Sequence, residues 1–241
     1  MVFGILGVQN TNAQFWKKKK KEVKKEAPAK KTPPKKKGKT IKSLTKSSKK
    51  IEGLFTIYQD TVTGSVKLLV KKDQLNKDFI YFSQIANGVT EANAYRGSYN
   101  GSSVFHVTKY FNRLEFMAPN TSFYFDENNA LSKSSEANIS DAVIASGKLL
   151  ASDDEKGEYL IDADGLFLSE TFTRIKQPRF PGQSPFAFSL GRFDKSKSKI
   201  NEIKNYPENT NVKTEYVYSN PNVINGGSAA VTDGRSVSIK V

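Results

Sequence analysis

From Ile51 onward the chain is cut into short runs of alternating apolar and polar residues, separated by turn-forming residues. Val66, Leu68 and Val70 share one parity while Lys67 and Lys71 take the other, the period-two pattern of a strand with one buried face. Leu54–Tyr58 leads through the turn-rich Asp60–Ser65 into that strand, so the two read as a hairpin. Asp73–Asn76 reads as a single helical turn and Phe79–Phe82 as a strand buried on both faces. Asn100-Gly101 is a strong turn signal. Strands are expected at Val104–Lys109 and Leu114–Met117 with a tight connection at Asn112-Arg113, and Phe123–Phe125 continues the pattern. Val143–Ala151 pairs with Glu158–Asp162 through a polar tip, and Asp164–Ser169 suits a short helix. Pro178–Pro185 is an irregular crossing, and strands return at Val212–Tyr218 and Val237–Val241. The expected fold is mainly β: an antiparallel meander, sandwich or partly open barrel with one or two short helices, preceded by a disordered basic tail.

Charge separates that tail from the rest. The formal net charge is +14, a value that ordinarily points to nucleic acid or a membrane surface. Between Lys17 and Lys50, however, 17 lysines face only Glu22 and Glu26, leaving 21 basic and 22 acidic residues elsewhere. The folded part is close to neutral. Like-charge repulsion, Pro28, Pro33 and Pro34, and the near absence of apolar side chains leave residues 14–50 without the means to offset ordering entropy. They read as a disordered Lys/Pro-rich linker in preference to a nucleic-acid-binding arm, because only Phe15 and Trp16 are available to stack on bases.

Ahead of the tail, Met1–Val8 is apolar and Gln9–Gln14 small or polar, with Thr11 and Ala13 placed as in a signal-peptide cleavage site. The run is too short to span a bilayer, and no basic n-region precedes it. Residues 1–13 therefore read as a partial signal peptide. The expected organisation continues with an N-terminal β module over 51–92 and a second β-rich module over 93–241. The second module is expected to be truncated, since Val241 falls within an alternating strand. Export is the preferred reading, to the periplasm, the outer surface or the medium. With no cysteine, disulfides, a lipoprotein anchor and thiolate metal sites are excluded.

No motif assembles a catalytic centre. The single histidine, His106, lies between Phe105 and Val107 in an expected strand, and the chain has no HExxH. Ser43–Lys46 and Ser196–Lys199 match S-x-x-K without its partner motifs. The acidic residues Asp153, Asp154, Glu155 and Glu158 do not fit an EF-hand loop and read as a solvated hairpin tip, and Asp164 as a helix cap. No P-loop or dinucleotide fingerprint is present. No catalytic, cofactor-binding or metal-ligating residue is assigned to this chain.

Several stretches carry a resemblance. Gly53–Tyr58, Lys67–Val70 and Asp78–Ile85 follow one another as the opening strands do in the domains of unknown function that precede the catalytic domain of large secreted bacterial zinc-dependent metalloproteases. Tyr95-Arg96-Gly97 with Val104–Lys109 and Leu114-Glu115-Phe116 is similar to the first hairpin of that family's next domain, and Tyr159–Leu168 to its segment running into a short helix. Asp233–Ile239 resembles the family's approach to its protease region. The resemblance implies a non-catalytic accessory region that packs against or positions a metzincin-like domain. Zinc is then expected only in that downstream domain, and the partner is the downstream peptidase domain of the same polypeptide. The alternative is a stand-alone secreted binding module whose lysine-rich tail engages an anionic surface or polymer, without specific nucleic-acid recognition and without a transmembrane span.

Overall fold

The computed structural model of the chain describes residues 39–126, 128–134 and 139–241. Its first element is a one-turn helix, α1 (Ile41–Leu44), closed by a reciprocal cap. The Ser43 N–H donates to Thr40 Oγ1 at 3.2 Å and the Thr40 N–H to Ser43 Oγ at 3.0 Å. Strand β1 (Ser48–Ile51) follows, then the hairpin of β2 (Thr56–Asp60) and β3 (Val66–Lys71). Asp60 holds the turn, its Oδ1 accepting from the N–H groups of Val62 and Thr63 at 3.0 and 2.8 Å.

After a 3₁₀ turn at Lys72–Gln74, β4 (Asp78–Gln84), β5 (Tyr99–Tyr110), β6 (Arg113–Ala118), β7 (Ala142–Asp153) and β8 (Glu158–Asp162) form a meander. Because β8 also pairs with β3, all eight strands make one antiparallel sheet in the order β1-β2-β3-β8-β7-β6-β5-β4. Strand β7 serves both halves: residues 142–148 pair with β6 and 149–153 with β8, with a register shift in each ladder. Such bulges add twist. The curved sheet buries Ile57, Val66, Val70 and Ile161 from one half against Phe105, Val107, Leu114 and Phe116 from the other. Each such side chain contributes about 1.5–3 kcal/mol by leaving water. Leu69 and Leu160, opposite one another on the other face, are also buried, and α1 packs against β7.

The helical turn α2 (Asp164–Phe167) leaves β8, and β9 (Arg192–Phe193), β10 (Lys199–Asn205), β11 (Thr210–Ser219) and β12 (Ser236–Lys240) build a second antiparallel sheet. Its order is β10-β11-β12, with β9 against the end of β11. Tyr216, Tyr218, Val237 and Ile239 project from it onto Ile85, Ile175 and Leu190, forming a second core. The Tyr218 hydroxyl donates to Glu170 Oε1 at 2.7 Å, and the same oxygen accepts the N–H groups of Ile175 and Lys176, both at 3.1 Å. Burial first, and the hydrogen bond to Glu170 second, raise the Tyr218 phenol above its ordinary range.

The mainly β class is as the alternation implies, with twelve strands and two short helices among the described residues. Several local expectations need correction. The leader over 1–13 and residues 14–38 of the linker lie outside the described residues, but the end of that linker is structured as α1 and β1. The boundary at 92/93 does not divide the fold: β3 pairs with β8 and β4 with β5, and the described residues from 39 onward belong to one compact unit. Strand β4 is not buried on both faces; it is the sheet edge, with Ile80 82% and Phe82 63% exposed. Asn100-Gly101 is not a turn but lies inside β5 beside a bulge, where Gly101 takes a φ of 124°. Phe123–Phe125 belongs to no strand and runs as a loop in which Phe123 and Tyr124 are exposed.

Candidate docking cleft

A half-open cleft of ≈ 550 Å³ separates the β4 edge of the large sheet from the start of β11 in the small one. Its floor is aromatic because β4 alternates. Phe79 and Tyr81 turn inward, where Phe79 lies 4.8 Å from Phe55 and 5.7 Å from Phe105 between ring centroids. Phe172, from the loop after α2, packs 5.2 Å from Tyr81 and 5.8 Å from Phe116. Tilted and edge-on rings at these distances add about 0.5–1.5 kcal/mol per pair beyond burial. The rim is polar, with Ser83 and Gln84 on one side and Asn209, Thr210 and Asn211 on the other. Burial pushes the Tyr81 phenol up to about 12, and its hydroxyl has no hydrogen-bond partner among the described residues.

Around Gly53 the first sheet is tied to the second by polar contacts, among them a bond from Asn205 Nδ2 to the Phe55 carbonyl at 2.5 Å. The Leu54 N–H donates to the Tyr206 carbonyl at 2.6 Å, the Phe55 N–H to Thr210 Oγ1 at 3.3 Å, and Asn205 Nδ2 to the Ile51 carbonyl at 3.1 Å. Gly53 permits this approach, since a Cβ there would lie 2.1 Å from Asn205 Oδ1. The Gly53-Leu54-Phe55 stretch singled out in the sequence is thus where the first sheet meets the second.

The side chains weighed as chemical candidates lie elsewhere and apart. His106 sits in β5 opposite Asp78, its Nδ1 3.6 Å from Asp78 Oδ1. No group of three or more His, Cys, Asp or Glu positioned to hold a metal ion occurs among the described residues. Ser43 is spent on the α1 cap, and the Ser196 hydroxyl donates to Asp194 Oδ1 at 2.6 Å. Asp153 closes the β7–β8 tip by accepting from the Lys156 N–H at 3.1 Å. Asp164 does not cap its helix, whose N-cap is Ala163; its Oδ1 instead accepts the Val66 N–H at 2.8 Å. Burial raises the Asp164 carboxyl above its ordinary value, with the nearby charge of Asp162 pushing the same way. The cleft itself was not legible in the sequence, although the inward row Phe79 and Tyr81 carried part of the signal.

Residues 97–241 match the family described as "Domain of unknown function (DUF5117)", more than half of the chain. The chain belongs to this family. The DUF5117 match takes in β5 through β12 and so supplies the β11 wall of the cleft, while β4 and the Gly53 contact precede it. No curated protein and no solved structure matches the chain.

Proposed function

We propose that this DUF5117 chain is a non-catalytic accessory module of an exported zinc-dependent metallopeptidase, and that it docks on the catalytic domain through the cleft and the adjoining outer face of β4. The observation that carries the reading is the apolar, aromatic-floored cleft beside an outer row in which Ile80 and Phe82 stand exposed and Val104 and Met117 half-exposed. Apolar surface of this kind, rimmed by polar groups, suits a macromolecular contact. The direction of the reading comes from the ordered resemblance of Gly53–Tyr58, Tyr159–Leu168 and Asp233–Ile239 to the accessory regions of such proteases. Zinc chemistry belongs to the partner domain. The test is to read the encoding locus beyond Val241 and weigh the natural protein. An in-frame region bearing HExxH supports the reading; a stop after Val241 with an agreeing intact mass overturns it.

The segregation of charge favours a second reading, a stand-alone module tethered to an anionic surface or polymer by its lysine-rich stretch. Removing residues 15–38 is the appropriate test, since a deletion through Lys50 would also remove α1 and most of β1. Binding that vanishes with the deletion and falls steeply with salt supports this reading; affinity that survives the deletion excludes it.

A further inference from the structure

We propose that the cleft is a slot for one β-strand: it takes an extended stretch of polypeptide in line with β12, paired antiparallel to β11 from Lys213 to Thr210 and running along the free edge of β4. The inference rests on the accessory reading, in which that stretch is the polypeptide leading to the peptidase domain.

The hydrogen bonds set the geometry. Strand β12 pairs with β11 on one side, Tyr216 opposite Ile239 and Glu215 opposite Lys240. On its other side the Lys240 N–H donates to the Asn87 carbonyl at 2.7 Å and the Ala86 N–H to the Lys240 carbonyl at 2.8 Å. Thus β12 already lies between β11 and the segment that continues β4. The last rung on β11 is reciprocal: the Val241 N–H donates to the Thr214 carbonyl at 2.9 Å and the Thr214 N–H to the Val241 carbonyl at 2.8 Å. Rungs of an antiparallel ladder recur on the same edge at every second residue, so the next fall on Val212 and Thr210. Both residues line the cleft, as do Val241 and residues 79–84 of β4. From Thr210 to Lys213, β11 has β10 on one edge and the cleft on the other, and among the described residues no strand pairs with the outer edge of β4.

Side-chain parity points to the same occupant. Val237 and Ile239 turn into the second core opposite Tyr218 and Tyr216. The positions of a prolonged strand that stand opposite Val212 and Thr210 share that face. There they meet the first core, on which Val212 packs beside Phe55, Phe79 and Phe172. Apolar side chains belong at those two positions and polar ones between them, next to Lys213 and Asn211. A strand supplies both what the floor lacks in apolar cover and what the two edges lack in backbone partners.

The test uses the 241-residue chain carrying a short extension after Val241 that alternates threonine and valine, so that the valines fall opposite Val212 and Thr210. One control replaces the extension with glycine and serine, and a second places proline opposite Val212, removing the N–H that the rung requires. Amides of the alternating extension are expected to exchange at least about tenfold slower than those of the glycine-serine extension. The melting temperature should rise, and proline should cancel both effects. Equal exchange in the alternating and glycine-serine chains, with anilinonaphthalene sulfonate still bound in the cleft, overturns the strand and leaves a small apolar ligand as occupant. The measurement needs no peptidase domain, so its failure is separate from failure of the accessory reading, which the locus decides.

Discussion

Gly53 and Asn205 stand so close that no side chain fits at position 53: a Cβ would lie 2.1 Å from Asn205 Oδ1 and 2.7 Å from the Tyr206 carbonyl oxygen. Asn205 is held in place, donating to the Ile51 carbonyl and accepting from the Thr210 hydroxyl at 2.7 Å. Gly53→Ala therefore has to part the two sheets, and the expected cost is about 2–3 kcal/mol. Gly165→Ala is the contrast. It lies in α2 with nothing within 4 Å of its would-be Cβ, so the exchange should stabilise by up to ~1 kcal/mol. Urea denaturation of the two variants separates them, and a neutral Gly53→Ala would mean the contact at Asn205 is not tight.

Asp164 ties the start of β3 to the end of β8, because its carboxylate accepts the N–H of Val66, a residue with no exposed surface. Asp164→Ala leaves that donor buried and unpaired, at a cost of about 1–3 kcal/mol. Asp164→Asn keeps an oxygen in the same place and removes a charge that burial already disfavours. The amide variant should thus stay within about 1 kcal/mol of the natural chain, by the net worth of one hydrogen bond. If both variants lose the same stability in thermal or urea unfolding, the Val66 contact is not what Asp164 contributes.

Short β-type runs between turn residues made most strands visible, and each failure has a local cause. β12 follows its period-two pattern, with Val237 and Ile239 buried at the odd positions, and β3 does so in Val66, Leu68 and Val70 with Leu69 buried on the opposite face as well; β2, β7, β8 and β11 were legible as short β-type runs between turn residues. β10 escaped notice because its apolar residues Ile200 and Ile203 are three apart. A register shift between Ile200 and Glu202 restores them to neighbouring positions in the sheet, and no period-two reading anticipates a bulge. β1 escaped because Ser48–Ile51 is half lysine, tolerable at a sheet edge where outward side chains stay wet. Phe79–Phe82 was readable as a strand but not as an edge, since four consecutive large apolar residues give no hint that Ile80 and Phe82 face outward. The cleft depends on Phe172 and on the β10–β11 hairpin lying across from β4, contacts far apart in the chain. Pattern alone does not carry them.

Three buried phenols make stability fall in alkali. Burial lifts Tyr81 and Tyr216 to about 12, and burial with the Glu170 hydrogen bond raises Tyr218. In the unfolded chain a phenol ionises near pH 10. Below that pH both states hold the protons and the full stability is present. As pH rises from about 10 toward 12, the unfolded chain releases protons that the folded chain retains, and stability declines. These three of the 10 tyrosines should ionise only as the chain unfolds, so the final tyrosinate absorbance step and the loss of strand circular dichroism coincide. Tyr218→Phe should shallow that decline while costing about 1.5–3 kcal/mol at neutral pH, because it removes a hydrogen bond to a charged carboxylate. Tyrosinate that forms fully before any unfolding would contradict the burial of these rings.

The two faces of β4 allow folding and docking to be tested apart. Phe79 is packed between Phe55 and Phe105, and Phe79→Ala should cost about 3–5 kcal/mol as the cleft floor loses a ring. Ile80 and Phe82 extend from the same strand into solvent, so Ile80→Lys with Phe82→Lys should change stability by no more than about 0.5 kcal/mol per site. If the outer face of β4 belongs to the docking surface, that double variant should fold as the natural chain does yet bind the peptidase domain at least about tenfold more weakly, a loss of about 1.4 kcal/mol. Calorimetric titration against an HExxH-bearing domain, paired with urea curves on the module alone, gives both quantities. Unchanged affinity in a fully folded double variant would remove the outer face from the contact and confine docking to the cleft, where a strand would pair with the backbone of Val212 and Thr210.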